Sequence, residues 1–514
     1  MAMDDMWSWI TTLPVTPANF PSSLLLASSE EKSILLQVDR TAGSDSEALV
    51  TFSVLLHGFF HPCNQTRTLW VSNPCPLSSP SSSHLQLLTQ LIRELISLSP
   101  STSHSYADLD FSCIKLELPE PILDSPAFFS LALLLRLFWL CAVDAPSDAG
   151  FLFFSKLGPT IERAVNCCGK DMGDFLRAVG PDVEERFVRS LGYVLAKWCL
   201  LREIHEGPKV IFKPMGSAYV KDSHGLWVLK GYAPVQAMNR LRSCPVHEAG
   251  ESALHYALAH QQLEVVVQLE YYVSMRDPRF IRVGVRVDNL RVHVVRLGFG
   301  KDGEDSEEDV ADVVGERHFP SRVRFWVGPE PGSSYASGPT LGRSTGNPER
   351  ELETIRTVKG RLGGGAKAAV KAKARSAARS TSRSWRWEQE ADGGAGVFEG
   401  VLCDSATGAE VATWRVGSGG RDPRVGMRRR WGGPGRAFSK KGGLVVAGDE
   451  VAEEVTWRVG RGMEGRRVRW RIGGTFWVSY CANEVKSDYF ETRWVEWRDE
   501  VDLVLVATGG DFGL

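Results

Sequence analysis

The chain lacks most of the short signatures that announce a chemistry. No C-x-x-C pair and no H-E-x-x-H occurs in its 514 residues. The ten cysteines are scattered, most of them inside apolar runs. That is the pattern of reduced thiols, not of a disulfide framework. The vicinal Cys167-Cys168 reads as a pair of core thiols. Charge of one sign is missing as well: 60 Lys+Arg stand against 62 Asp+Glu, a formal net charge of -2. This balance excludes a uniformly basic nucleic-acid coat but leaves local patches open. The N-terminus shows no basic stretch leading into an apolar one, so no secretory signal is expected. Asp4 and Asp5 argue against a transit peptide. The expected location is cytoplasmic, nuclear or both.

Long hydrophobic runs are scarce. One stands out, 127–143, with Arg136 near its middle. A membrane helix needs about 20 apolar residues, and a central Arg costs roughly 2.5–3.5 kcal/mol on insertion. The run is therefore read as a buried helix, and no transmembrane span is expected.

What is present is an ordinary globular composition, 43% hydrophobic and 24% charged. It suffices for a sizeable core and for two or three domains. Residues 1–120 form a mixed α/β region. The strand-like runs 33–38 and 49–56 are followed by apolar residues at helical spacing over 85–98. Residues 121–262 are mainly helical, with helices expected over 127–143, 158–178 and 182–204, then a hairpin from 209–213 and 226–229. From 263 to 514 the pattern turns to strands: 263–272, 280–287, 291–297, 322–327, 398–403, 410–416, 455–459, 466–472, 475–480, 490–498 and 501–506. Helices followed by strands predict an α+β fold with a mixed N-terminal region, a helical middle and a largely antiparallel β C-terminal half.

Several motifs carry chemistry in principle. Gly298, Gly300 and Gly303 satisfy G-x-G-x-x-G, which can cradle a pyrophosphate at a helix N-terminus. Here the acidic loop 300–312 adjoins it, with seven carboxylates between Asp302 and Asp312, and would repel the ligand. Cys244, His247, Glu248, Glu251, His255 and His260 are zinc-ligand types without zinc-ligand spacing. No catalytic residue, no metal ligand and no cofactor is assigned.

Residues 354–387 hold ten Lys/Arg and no Asp or Glu. This segment reads as a basic flexible insertion. Lys367, Lys371 and Arg375 fall on one face if a helix forms there. With Lys373 and Arg379 they make a patch that attracts phosphates of nucleic acid or anionic lipid. Ser376 and Ser382 follow basic residues, as basophilic kinase sites do, and phosphate there would cancel part of the patch. A second basic surface comes from alternation: Arg467, Arg469 and Arg471 oppose Val468, Trp470 and Ile472. Because nine of the 16 tryptophans lie between Trp385 and Trp497, the alternatives are nucleic-acid stacking and a Trp core under an ion-paired Arg face.

Three stretches carry a resemblance: Trp7-Ser8-Trp9-Ile10, Ser384-Trp385-Arg386-Trp387-Glu388-Gln389-Glu390, and Phe398 to Asp404 with Glu410 to Trp414. They resemble a family of uncharacterised land-plant proteins, some labelled erythronate-4-phosphate dehydrogenase. That label implies a Rossmann unit with a glycine loop and a catalytic His/Glu and Arg set. Three readings of function follow. The first is a non-enzymatic intracellular binding or scaffold protein with a basic phosphorylatable loop and an unidentified protein partner. The second is a binder of nucleic acid or anionic membrane through 354–387 and the Arg face. The third is the oxidoreductase implied by the label.

Overall fold

The computed structural model describes residues 3–13, 22–42, 48–60, 66–76, 80–100, 116, 118–206, 215–235, 254, 261–297, 317–342, 350–362, 370–382, 385–404, 407–415, 438, 443–451, 454–481 and 492–507. The fold is α+β and strand-rich, 49% strand against 32% helix. The chain divides into two compact units. The first comprises 1–221, 230–264 and 294–315, the second 222–229, 265–293 and 316–514.

In the first unit, α1 (Met3–Thr11) precedes the strands β1 (Ser22–Ser29), β2 (Lys32–Ala42), β3 (Ala48–His57), β4 (Arg67–Val71) and β5 (Cys75–Pro76). They form one sheet in the order β1-β2-β3-β4, with β5 also on β3. The helices are α2 (Pro80–Ser97), α3 (Glu120–Leu123), α4 (Pro126–Trp139), α5 (Ser147–Cys167), α6 (Gly169–Ala178) and α7 (Pro181–Glu206). Two of the three expected regions, 1–120 and 121–262, share one core here. Leu36 and Phe52 of the sheet, Leu91 of α2, Phe138 of α4 and Val194 of α7 belong to a single buried cluster. An amphipathic sheet and amphipathic helices must bury their apolar faces against something, and here they bury them against each other.

The apolar run lies in this core as α4, which Ser125 caps by accepting from the Phe128 N–H at 3.2 Å, with Pro126 in the first turn. Phe128, Leu131, Leu135 and Phe138 are fully buried. Arg136 survives there because its Nε donates to Glu94 of α2. The same carboxylate accepts from Trp70 Nε1 at 3.0 Å and Gln90 Nε2 at 2.7 Å. Helices α5 and α7 approach closely at Gly158, where a Cβ would stand 2.2 Å from the Trp198 ring. The expected helix 158–178 is two helices, α5 and α6. Cys168 between them is buried, whereas Cys167 is exposed, so the vicinal pair is not a pair of core thiols.

The strands β6 (Ser217–Ser223), β7 (Leu226–Val235), β8 (Gln261–Ser274), β9 (Phe280–Arg296), β10 (Arg317–Pro329), β11 (Ala336–Thr340), β12 (Arg350–Leu362), β13 (Val370–Ser382), β14 (Trp385–Asp392), β15 (Ala395–Leu402), β16 (Leu444–Ala447), β17 (Val455–Gly460), β18 (Arg467–Cys481) and β19 (Thr492–Val504) follow. In the second unit one antiparallel sheet runs β14-β15-β10-β18-β19. A second places β8, β9, β17 and β11 in succession, with β16 on β9. The two sheets meet through indoles. Trp470 of β18 packs edge-on against Trp457 of β17 with ring centroids 4.8 Å apart, and Trp457 Nε1 donates to Gly394 O at 2.8 Å. Trp227 stacks on Tyr271 at 4.0 Å in the same unit.

Expected pairs of short strands prove to be single long ones: 280–287 and 291–297 are one strand, as are 466–472 and 475–480, and 490–498 and 501–506. The stretch 328–347, read as loop, contains β11. Residues 410–415 carry one bridge, Cys403 with Glu410, and turn away. The expected strand 209–213 lies outside the described residues.

Candidate polyanion interface

The basic segment read as flexible or helical is a β-ribbon. β12 and β13 pair antiparallel over thirteen positions, from Arg350 opposite Ser382 to Leu362 opposite Val370. Among the described strands they pair only with each other. Alanine and lysine favour helix locally, but the backbone hydrogen bonds here are taken by a partner strand. Alternation in a strand has period two, so register assigns the faces. Arg361 pairs with Lys371, Lys359 with Lys373, Thr357 with Arg375, and Glu353 with Arg379. Six cations and two carboxylates, Glu351 and Glu353, therefore share one face. The other face carries Val358, Gly360 and Leu362 against Ala374, Ala372 and Val370.

Ser376 and Ser382 stand across from Arg356 and Arg350 in the register. Lys367 lies outside the described residues.

The arginines of β18 are placed differently. Val468, Trp470 and Ile472 are buried, and the arginines alternate with them toward solvent. Arg467 pairs with Asp502 at 3.6 Å, and Arg469 with Glu500 at 3.3 Å and Glu330 at 3.8 Å. Arg471 is half-buried, with its Nε unpartnered among the described residues. The carboxylates of β19 thus neutralise much of this face. Exposed pairs of this kind are worth little to stability, typically 0.2–1 kcal/mol, but they offset charge.

The first unit collects buried titratable groups. Glu184 accepts from Lys230 Nζ at 2.9 Å and from the Tyr232 hydroxyl at 2.5 Å. Burial, reinforced by that carboxylate, holds the Tyr232 phenol well above its ordinary range, so it donates and stays protonated. This cluster ties the segment 230–232 to the first turn of α7. Burial raises the Glu264 carboxyl, against the lowering influence of Arg189. Lys197 is 1% exposed, with its ammonium 5.6 Å from the Tyr193 ring centroid. Burial pulls it down to about 7. Burial also pushes the Cys141 thiol up to about 12, leaving it an inert core group. A groove of about 430 Å³ runs between Asn73–Cys75 and α2, lined by Gln86, Gln90, Arg93 and Glu94.

Among the described residues no group of three or more His, Cys, Asp or Glu is placed to hold a metal ion. Cys244, His247, Glu248, Glu251, His255, His260, the glycines 298–303 and the acidic loop 300–312 lie outside the described residues. The sequence reading missed the strand character of 350–362 and 370–382. The signal was there: Lys371, Lys373 and Arg375 recur at period two beside alternating Ala372 and Ala374.

No family model matches the chain, and no curated protein matches it. Among solved structures, the Clostridium perfringens NetB toxin in its membrane-inserted form aligns over 56% of this chain and 95% of its own, at 7% identity and a TM-score of 0.19. Clostridium perfringens delta-toxin aligns over 55% and 94%, at 10% identity and a TM-score of 0.21. A further structure, described as a pore forming protein, covers 56% and 94% at 7% identity and a TM-score of 0.17. Superpositions this loose establish no shared fold from which a role could be carried over.

Proposed function

We propose that this chain is a binding protein that docks on an anionic lipid surface through the cationic face of the β12–β13 ribbon. The observation that carries this reading is the register. It sets cation opposite cation at Arg361/Lys371 and at Lys359/Lys373. Like charges directly across a ladder destabilise a sheet, so the pairing is relieved when an external polyanion supplies the missing charge. Composition favours lipid over stacked bases: 350–382 contains no Phe, Tyr or Trp.

The test is sedimentation of the full chain with vesicles of phosphatidylcholine alone or with about a third phosphatidylserine. Each Lys or Arg near such a surface contributes about 1 kcal/mol. The combined change Lys371→Gln, Lys373→Gln, Arg375→Gln and Arg379→Gln is expected to weaken partitioning roughly a thousandfold. Binding to duplex DNA, lost in the same variant, with no affinity for either vesicle, would replace the lipid by nucleic acid.

A further inference from the structure

The five-stranded sheet of the second unit has an inner face of buried indoles and an outer face that is not bare. Trp477 of β18 and Trp494 of β19 are direct cross-strand partners. Their neighbours Phe476, Val478 and Val495 point into the core, so both tryptophans stand on the outer face. Trp494 is 47% exposed, an unusual position for the largest apolar side chain. On the next strand Arg322 pairs with Trp477 and lays its guanidinium over that ring, 5.0 Å from the centroid. Arg322 is ion-paired to Glu399, and one step along β19 Glu496 is ion-paired to Arg498.

We propose that this face binds a neutral saccharide, with the exposed Trp494 ring as the stacking platform and the Arg322-covered Trp477 ring beside it. A pyranose has a flat C–H face that lies on an indole, and a rim of hydroxyls that both donate and accept. The exposed Trp494 indole offers the flat apolar surface. Arg322–Glu399 and Arg498–Glu496 offer charged donors and acceptors beside it, already held in place by each other and able to form strong hydrogen bonds with hydroxyls. The alternatives fit less well. Glu399 and Glu496 are each matched by an arginine, so these pairs offer no net charge to draw an anionic bilayer or a nucleic acid. The cores of protein–protein interfaces are depleted in charge, whereas here charges crowd the aromatic pair. The proposal is independent of the ribbon and of its lipid.

The experiment is isothermal titration of the full chain with cellohexaose, laminarihexaose, xylohexaose and mannohexaose, and with hexagalacturonate as the acidic counterpart. At least one neutral hexasaccharide is expected to bind, with an affinity unchanged between about 50 and 500 mM salt, since no net charge is neutralised. Trp494→Ala is expected to weaken it at least tenfold and Trp494→Phe less, both with an unchanged circular dichroism spectrum. Because Trp494 is exposed, its loss leaves the core intact. The ribbon quadruple variant is expected to bind sugar normally. Failure of all four neutral sugars, preference for the uronate with steep salt dependence, or binding that survives Trp494→Ala would each overturn the proposal. So would vesicle partitioning that depends on Trp494 in the absence of sugar binding, which would assign the face to a bilayer.

Discussion

The β18–β19 pair and the β12–β13 ribbon show the same alternation with opposite consequences. Both set Lys or Arg at every second position of a strand. On β18 the arginines meet Asp502 and Glu500 from β19, and the surface is internally balanced. On β13, Lys371 and Lys373 stand opposite Arg361 and Lys359 of β12 in the register, so like charge faces like. The sequence pattern of one strand cannot distinguish these cases. The partner strand does, because a direct cross-strand neighbour lies about 5 Å away while the next residue on the same face is nearly 7 Å along the strand.

The largest effect expected from breaking this contrast is on the ribbon. The four glutamine substitutions on β13 should cost about 4 kcal/mol of vesicle affinity, read by sedimentation. A buried cation sharpens the comparison next. Lys197 is buried, and burial lowers it from 10.5 to about 7. Between those two pH values the unfolded chain holds a proton that the folded protein has lost. The stability contributed by this site therefore rises with pH across that window and is lost as pH falls through 7. Lys197→Met is expected to stabilise by about 1–3 kcal/mol at pH 6 and by much less at pH 10, measured by urea unfolding.

Converting the balanced surface into the unbalanced one is the third test. The pair Glu500→Lys and Asp502→Lys should cost about 1 kcal/mol in stability, since like charges then face Arg469 and Arg467. It should also confer salt-sensitive vesicle binding that the native β18 face lacks. The reverse conversion, Lys373→Glu, should stabilise the ribbon by about 0.2–1 kcal/mol while weakening vesicle binding. Smallest is Arg467→Ala. Its exposed pair with Asp502 predicts a stability change within about 0.5 kcal/mol and no change in vesicle binding.

Much of the fold was legible from periodicity. Helix α7 and the strands β2, β3, β8 and β17 sit near where apolar spacing placed them, because core-facing residues must recur at the period of their element. The Trp core under a solvated Arg face was legible on β18 for the same reason. The ribbon was misread because its Ala and Lys residues favour helix over a short window, and the residues that decide otherwise, 350–362, lie outside that window and act through the strand pairing. The outer-face pair Trp477 and Trp494 could not have been singled out. Each sits among other tryptophans in the sequence, and only the register of β18 with β19 makes them neighbours on the wet side.

By itself the sequence determined the class: an apolar helical stretch, then strands alternating at period two, on a chain with balanced charge. These follow from local geometry and from the need to bury apolar area. Only the tertiary structure decided which charges cancel. Arg136 rests on Glu94, Arg469 on Glu500, and Lys371 faces Arg361. The physical reason is distance. Coulombic interaction falls with separation in space and is blind to separation along the chain, so the partner of every cation was set by pairing and packing, which no local pattern records.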